Sequence, residues 1–505
     1  MTNPDSNPRG PATGSPAAAA AAGLHALYAK RKMERRERIY GQKVFYFLLA
    51  HPLLAGAMKA SSLIPTAHAL AAFGVGLYWL LKGRTPDRVI PVMGYIVGSE
   101  ILWRGTNARV PWEFAKYSVS ALAIVALVRF SLFKKASTAP LAYFLLLTPS
   151  IFLLPEFDRE IVSFNLSGPF ALALATCFLS TRRLDGALFK RLLLSTLAPI
   201  IGLAALATFS TITTPDIQFG ASSRVTSAGI GPNQVSSVLG LGALLAFLYV
   251  LVDRKHRRLR WFLMAAGLWL GAQSALTFSR GGLATTLGAI VAGSFFLLRD
   301  RHSRGALILR SAFAAVLVVY LLFPALNAFT GGAMANRFTS THLTGRDKII
   351  EGDLLAFREN PVLGTGPGGS KAYHELVFRW SSAHTEYTRV LAEHGSAGLL
   401  SLLILFGISS RRAFRRMAPE SKAFAAATTT WALLYMFHSA MRLAAPAFLF
   451  ALGGALLLLE APALGWWRTR SRQTPRFVAG PGGVWQKAPT AEPPLPSPPA
   501  AQELS

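Results

Sequence analysis

The sequence predicts an all-α, polytopic integral membrane protein that crosses the bilayer as a bundle of about 12–14 transmembrane helices. Hydrophobic residues make up 52% of the 505 residues, charged residues make up only 15%, and the mean hydropathy is +0.38. This composition is too apolar for a soluble globular protein of the same length. Apolar stretches of roughly the 20 residues that cross a hydrocarbon core recur along the chain. Short charged or Gly/Pro-containing connections separate them, so helices are the building units.

The individual spans follow from these apolar stretches in chain order. They lie near residues 43–62, 64–81, 88–104, 114–133, 139–155, 163–180, 192–210, 232–252, 261–278, 283–298, 311–328, 394–410, 423–440 and 443–460. If the N-terminus is cytoplasmic, most of the 52 Lys and Arg residues fall in connections on the cytoplasmic side. This alternation follows the positive-inside rule, and moving one span would reverse it downstream. The charge pattern therefore supports an even number of spans.

Two segments flank the transmembrane domain, which is predicted at residues 43–463, and a third segment lies within it. Residues 1–42 are rich in Pro, Ala and Gly and then basic, and they predict a disordered cytoplasmic tail without a cleavable signal. Residues 464–505 are rich in Pro and Ala and predict a second disordered cytoplasmic tail. The connection 329–393 is too long for a hairpin, so we expect a large extracytoplasmic loop with short helices and a function of its own.

The charge and the cysteine content exclude two further interpretations. The net charge is +28, but the basic residues are scattered between apolar spans and form no continuous basic surface. A nucleic-acid partner is therefore not expected. The single cysteine, Cys177, lies inside an apolar stretch and predicts a small packing residue, because one cysteine cannot form an intramolecular disulfide.

Two arginines are predicted beside helix N-termini at the outer membrane surface. Arg224 precedes the span that opens with GPNQ at 231–234, which contains Asn233, and Arg280 follows Ser279 in the run TFSRGG at 277–282. Proline suits the first turn of a helix, and serine is a good N-cap. Free amide donors, the helix dipole and a guanidinium together favour phosphate binding. The alternative is that each arginine only snorkels to lipid headgroups.

The long outer connection contains a third arginine and a glycine-rich turn. Arg346 belongs to TGR at 344–346, and Gly364 and Gly366 belong to NPVLGTGPG at 360–368. The turn lacks the Lys-Ser/Thr of a nucleotide-binding P-loop and follows no strand, so ATP is not expected. It is interpreted either as a tight turn at the membrane surface or as a backbone that approaches a ligand closely.

His384 is the candidate general base, with Glu386 beside it in the run HTEY at 384–387. A neutral imidazole on the same face as the arginines can accept a proton from a hydroxyl. The alternative is a structural histidine. A metal site is not expected, because no second histidine or carboxylate stands at a convincing ligand spacing and His394 lies on a different segment.

Three runs, in this order and between membrane spans, resemble the O-antigen ligase and polymerase superfamily of bacterial envelope polysaccharide enzymes. They are TFSRGG at 277–282, TGR at 344–346 leading to NPVLGTGPG at 360–368, and HTEY at 384–387 with EHG at 393–395. The resemblance covers roughly residues 224–410, and the N-terminal spans match only in general character. The family often has asparagine after the histidine where this chain has Thr385, and the ligases usually have about a dozen spans.

The resemblance implies a metal-independent glycosyltransferase of cell-surface polysaccharide biosynthesis without a cofactor. The chain would lie in the bacterial inner membrane and move a glycan from undecaprenyl pyrophosphate to a sugar hydroxyl, of a growing glycan or of lipid A core, at the periplasmic face. By likeness, Arg224 and Arg280 would hold the donor pyrophosphate, Arg346 would add to that site, and His384 would act on the acceptor hydroxyl.

Two other functions remain open at the level of sequence. A transporter or flippase for lipid-linked sugars predicts ionisable residues near the membrane midplane, and Glu100 and His438 lie inside predicted spans. However, the sequence shows no internal repeat, and most of the unusual residues lie at the outer boundary. A protein O-oligosaccharyltransferase would use the same donor, and the sequence does not distinguish it from a ligase or a polymerase.

Overall fold

The computed structural model describes residues 16–215, 217–220, 222–253, 255–299, 301–340, 345–378, 383–415, 417–459, 477–479 and 485–487. The chain divides into two compact units, Met1–Leu459 and Glu460–Ser505. The first unit contains the membrane helices and every predicted site residue. The strands described in the second unit, β3 (Phe477–Ala479) and β4 (Trp485–Lys487), pair antiparallel with each other.

Helices dominate the first unit. In chain order they are α1 (Pro16–Ala60), α2 (Leu63–Lys82), α3 (Val89–Gly105), α4 (Phe114–Arg129), α5 (Ala139–Leu145), α6 (Arg159–Leu179), α7 (Gly186–Thr213), α8 (Pro232–Val252), α9 (Arg257–Leu276), α10 (Arg280–Leu298), α11 (Arg301–Leu317), α12 (Phe323–Phe329), α13 (Ala333–Thr339), α14 (Arg346–Glu359), α15 (Ser370–Val377), α16 (Glu386–Phe414), α17 (Pro419–Ser439) and α18 (Ala444–Leu452). Two short strands, β1 (Arg183–Asp185) and β2 (Leu456–Leu458), pair in parallel.

The predicted fold class is confirmed, and the protein is a multi-pass membrane protein. Within the described part of the chain, seven helices are long and apolar enough to cross a membrane. They are Leu63–Lys82, Arg159–Leu179, Gly186–Thr213, Pro232–Val252, Arg280–Leu298, Ser311–Phe329 and Glu386–Phe414. Two of the other predicted spans are helical but shorter, namely α3 with 17 residues and α4 with 16.

The structure differs from the sequence-based map at two predicted spans. The stretch 139–155 is not one helix, because α5 ends at Leu145 and a 3₁₀ turn begins at Pro149. The stretch 443–460 contains only the nine-residue α18, after which β2 pairs with β1. Proline at the start of a new turn explains the first break, and the strand pairing explains the second.

The tails predicted from composition lie partly outside the described residues. Helix α1 begins at Pro16, within the segment 1–42 for which the sequence predicts a disordered tail. Its first turns are a run of alanines, the residue with the highest helix propensity. For residues 464–505 the described elements are β3 and β4 alone, and the rest of that prediction falls outside the described residues.

Close packing at small residues holds the helices that carry the site. A Cβ atom on Gly282 of α10 would overlap the backbone of Ser236 and Ser237 in α8. Ser236 Oγ also bonds Ser274 Oγ at 2.9 Å and the carbonyl oxygen of Ser279 at 3.1 Å. Small residues and hydroxyl groups are the usual means by which membrane helices approach each other closely. The start of α10 is therefore fixed against α8 and the end of α9.

The long connection predicted at 329–393 contains short helices, as expected. Helix α14 is joined to the next two helices through Asp353, which is fully buried, as is its partner His374. His374 Nε2 of α15 lies 2.7 Å from Asp353 Oδ1 of α14, and Thr388 Oγ1 of α16 donates to Asp353 Oδ2 at 2.6 Å. The connection is therefore packed onto the membrane helix that follows it.

Candidate active site

Three helix N-termini meet at one side chain, Asn233, at the end of the bundle where α8, α10 and α14 begin. Asn233 Oδ1 accepts hydrogen bonds from Ser279 Oγ at 2.7 Å and from Arg346 Nη2 at 3.3 Å. Asn233 lies in the first turn of α8, Ser279 is the N-cap of α10, and Arg346 is the first residue of α14. Each helix start contributes a positive dipole end, so their convergence favours an anion.

Positive charge is concentrated around this point by Arg280, Arg337 and Arg346, which we call the arginine cluster. Burial and the positive charges of Arg280 and Arg337 lower the pKa of Arg346. Burial and the charge of Arg280 likewise lower the pKa of Arg337. Burial is the larger cause in both cases and the neighbouring positive charges add to it, so a bound phosphate would offset positive charge at this point.

The backbone of the α9–α10 turn positions two members of the arginine cluster. Phe278 is fully buried and has a left-handed φ of +57°, a conformation that costs a non-glycine residue about 1–2 kcal/mol. Its carbonyl oxygen accepts a hydrogen bond from Arg337 Nε at 3.1 Å, and Arg280 Nη1 donates to the carbonyl oxygen of Ser340. The turn thus aims Arg280 at α13 and draws Arg337 toward α10.

His384 lies on the other side of the site, just before α16, and is half-buried. The backbone N–H of Ala440 donates to its carbonyl oxygen at 3.2 Å, and Arg442 Nη2 donates to the carbonyl oxygen of Ala383 at 3.0 Å. The connection between α17 and α18 therefore holds the peptide groups on both sides of His384. This support acts on the backbone, so it does not depend on the imidazole.

His438 links His384 to the arginine cluster. It lies at the C-terminal end of α17, close enough to both Arg346 and His384 for their charges to act on it. Its Nε2 lies 3.0 Å from Thr285 Oγ1 of α10. Arg280 and Arg346, two of the three arginines predicted as phosphate ligands, are thus brought to the same region of the molecule as His384, the predicted base.

This arrangement can be compared with known families. Residues 268–403 match the family model of O-antigen ligase. The resemblance inferred from the three runs is therefore confirmed over this O-antigen ligase segment, which contains the arginine cluster and His384. No curated protein is similar enough in sequence to match the chain. The match supports a ligase-like or polymerase-like function in polysaccharide biosynthesis, carried out by a glycosyltransferase-like enzyme.

Glu386 is engaged in a buried ion pair inside the O-antigen ligase segment. Its Oε1 lies 2.6 Å from Arg389 Nη2, and its Oε2 accepts a hydrogen bond from the backbone N–H of Met441 at 3.1 Å. The adjacent Thr385 caps α16 through a hydrogen bond from the N–H of Tyr387 at 3.2 Å. These contacts fix the start of α16 and the α17–α18 connection, which fits a supporting role for Glu386.

The glycine-rich turn of the O-antigen ligase segment approaches the chain's own backbone. Gly364 and Gly366 have φ values of +75° and +81°, and a Cβ atom on Gly364 would overlap the peptide between Glu393 and His394. The N–H of Gly366 donates to the carbonyl oxygen of Glu393 at 3.0 Å. The close approach is thus made to α16, which changes direction at Gly395, where φ is +57°. Direct contact of these glycines with a ligand remains a prediction.

Arg224 lies outside the O-antigen ligase segment and has an exposed side chain. It begins a 3₁₀ turn, and its carbonyl oxygen accepts hydrogen bonds from the N–H groups of Ser227 at 3.1 Å and Gly229 at 2.8 Å. Among the described residues, no hydrogen bond joins its guanidinium to the arginine cluster. A role in phosphate binding stays a prediction for Arg224.

Sequence reasoning missed Arg337 and Arg442. Arg337 is one more arginine of the long connection, and comparing all the arginines of that loop would have found it. Arg442 stands in the short connection between the last two predicted spans, where a charged residue beside apolar stretches is the only signal. Burial and the charge of Arg389 lower the pKa of Arg442 to about 10, and its guanidinium lies 4.1 Å from the ring centre of Phe164.

Proposed function

We propose that this protein is a metal-independent glycosyltransferase that transfers a glycan from undecaprenyl pyrophosphate to a sugar hydroxyl at the periplasmic face of the bacterial inner membrane. The observation that carries the proposal is the convergence of three helix N-termini and the arginine cluster near His384, largely within the O-antigen ligase segment. The acceptor is a growing glycan or lipid A core.

The proposed chemistry uses one base and several cations. The acceptor oxygen attacks the anomeric carbon of the donor sugar, the bond from that carbon to the pyrophosphate oxygen breaks, and His384 takes the hydroxyl proton. Charge builds on the leaving pyrophosphate, where Arg280, Arg346 and Arg337 and the helix dipoles stabilise it. Because pyrophosphate is already a good leaving group, the reaction does not need the carboxylate pair of a glycosidase.

Glu100 and His438 were the two residues whose position in predicted spans favoured a transporter. Their positions in the structure support a transferase instead. Glu100 Oε1 lies 2.6 Å from Arg104 Nη2 near the end of α3, and its Oε2 accepts the N–H of Ala444 at 2.7 Å. His438 lies beside the candidate site at the last turn of α17. Glu100 thus lies in the last two turns of α3 and His438 in the last turn of α17, whereas a transporter needs ionisable groups near the membrane midplane.

The envelope of a deletion strain tests the proposed function. For a ligase, we expect long lipid-linked chains that are not attached to an acceptor; for a polymerase, we expect the acceptor to carry a single repeat unit. Gel electrophoresis of surface polysaccharide and extraction of the lipid-linked pool distinguish the two results. Lipid-linked glycan trapped at the cytoplasmic face would support a flippase, and loss of glycan from a protein alone would contradict a sugar acceptor.

The periplasmic orientation of the site is tested by cysteine labelling in a Cys177→Ser background. Glu375→Cys on α15 should react with an impermeant thiol reagent in intact cells, whereas Arg257→Cys and Ala413→Cys should be shielded until the cells are permeabilised. All three positions are exposed in the structure. If a cysteine does not react, the reason is therefore that the membrane keeps the reagent away from it, not that the side chain is buried. Labelling of Arg257→Cys in intact cells would contradict the orientation.

A further inference from the structure

A separate cavity of about 240 Å³ opens between the end of α3 and the start of α4. Its lining includes Glu100, Trp103, Arg104, Asn107, Trp112 and Phe114. The connection 106–113 that forms its rim lies outside the O-antigen ligase segment, and none of these residues belongs to the site described above. Binding pockets for small polar molecules combine aromatic walls with a few fixed polar groups, as this cavity does.

Two tryptophans form aromatic walls of the cavity; Trp103 is held in place and Trp112 is exposed. Trp112 is 55% exposed, and the Arg104 guanidinium lies 4.5 Å from the centre of its ring. Trp103 is held by a hydrogen bond from its Nε1 to His68 Nδ1 at 2.9 Å and packs edge-on against Phe114. Rigid indole rings offer large apolar faces at little conformational cost, and the apolar face of a pyranose ring packs well on such a surface.

The polar groups of the cavity favour a neutral hydroxylated ligand over an anion. The Glu100 and Arg104 side chains are 3% and 4% exposed and pair at 2.6 Å, so their charges cancel. Asn107, which is exposed with a left-handed φ of +57°, adds an amide donor and acceptor at the rim. The five N–H groups of Arg104 already donate to Glu100, Gln234 and the carbonyl oxygens of Trp112 and Arg442. The exposed amide of Asn107 therefore supplies the donor and the acceptor for a ligand hydroxyl group, whereas the guanidinium groups of the arginine cluster supply donors only.

Arg104 connects this cavity to both sides of the candidate active site. Its Nη1 donates to Gln234 Oε1 at 3.4 Å, and Gln234 follows Asn233 on α8. The same nitrogen donates at 3.2 Å to the carbonyl oxygen of Arg442, whose guanidinium bonds the residue before His384. Arg104, on the wall of the cavity, is thus bonded directly to elements that hold both sides of the candidate active site, which places the cavity next to that site.

We propose that the cavity is a saccharide subsite, in which a pyranose ring of the glycan stacks on the face of Trp112 that the Arg104 guanidinium does not cover and bonds the Asn107 amide. The assignment rests on the proposed function for its ligand. The ring belongs either to the donor glycan or to the acceptor glycan, since both present the same chemistry. Trp112 could instead anchor the protein at the membrane interface. The Trp261→Ala control described below distinguishes this role from sugar binding.

The test compares Trp112→Ala with Trp261→Ala in purified protein in detergent. Trp261 is 54% exposed near the start of α9, so it matches Trp112 in exposure but lies outside the cavity. The probe is the free repeat-unit oligosaccharide, released by mild acid from the lipid-linked glycan of the source bacterium, and binding is measured by saturation-transfer NMR. We expect Trp112→Ala to weaken binding about tenfold, Trp261→Ala to have no effect, and Trp112→Phe to retain part of the binding.

Measuring glycan transfer by the same variants tests the subsite and the proposed function independently of each other. If Trp112→Ala raises KM for one glycan substrate and leaves kcat near the wild-type value, the subsite is supported and its glycan is identified as donor or acceptor. Oligosaccharide binding by the wild-type protein without any transfer would overturn the glycosyltransferase and keep the subsite. Equal binding by wild type and Trp112→Ala, or no binding by the wild type, would overturn the subsite.

Discussion

The His384→Ala variant should transfer glycan about 10²–10⁴-fold more slowly than the wild type, the usual cost of removing a general base. Its membrane level, its thermal stability and its affinity for the lipid-pyrophosphate donor should stay close to wild type. The structure explains this expectation, because Ala440 and Arg442 hold the backbone around His384 and neither bond involves the imidazole. Single-turnover transfer with purified protein and a thermal melt measure the two quantities separately.

His374→Ala is the matched control for a structural histidine. His374 is fully buried and lies 2.7 Å from Asp353 Oδ1, so its removal leaves a buried carboxylate without this partner. We expect this variant to be less thermally stable and less abundant in the membrane. Its transfer activity should fall only as far as the amount of folded protein falls. If His384→Ala showed the same pattern, or kept near-normal transfer, His384 would not be the base and acceptor activation would need another group.

The start of α10 was predictable from sequence because its signals are local. A serine before Arg280 and a proline at the first position of α8 are sufficient to place both helix starts, and the structure has Ser279 at the N-cap position, although its Oγ bonds Asn233 and not the helix backbone. The charge alternation likewise predicts which connections share a membrane face. Since α8, α10 and α14 all begin on one face, the approach of Asn233 to Ser279 and Arg346 agrees with that map.

The support around His384 was not predictable, because it depends on contacts between residues far apart in the chain. The Arg104 guanidinium bonds the carbonyl oxygen of Arg442, and Glu100 accepts the N–H of Ala444, although more than 300 positions separate the partners. A single sequence contains no periodicity that reports such pairs. The predicted span 443–460 obscured the same feature, because the connection 440–443 that holds the site ends where that span begins and α18 is only nine residues long.

The Arg280→Lys variant should lower transfer about 10²–10³-fold, as removal of a donor that stabilises developing charge does in other enzymes. Lysine keeps the positive charge, but its ammonium lacks the planar fork that binds two phosphate oxygens at once. In the structure, Arg280 bonds the carbonyl oxygen of Ser340 and its charge acts on Arg337 and Arg346, so it is placed within the arginine cluster by the backbone at α13.

The measurements for Arg280→Lys are kcat, KM for the lipid-linked donor, and inhibition by inorganic pyrophosphate. We expect kcat to fall and inorganic pyrophosphate to inhibit more weakly. The substitution removes the bidentate contact to the pyrophosphate of the donor, which is the leaving group, and also to free pyrophosphate. Arg358→Lys is the matched control, since Arg358 is exposed in the last turn of α14, at the end opposite Arg346. A variant that kept near-normal kcat and wild-type inhibition would show that Arg280 only anchors the start of α10, and the developing charge would then have to be stabilised by Arg346, Arg337 and the helix dipoles alone.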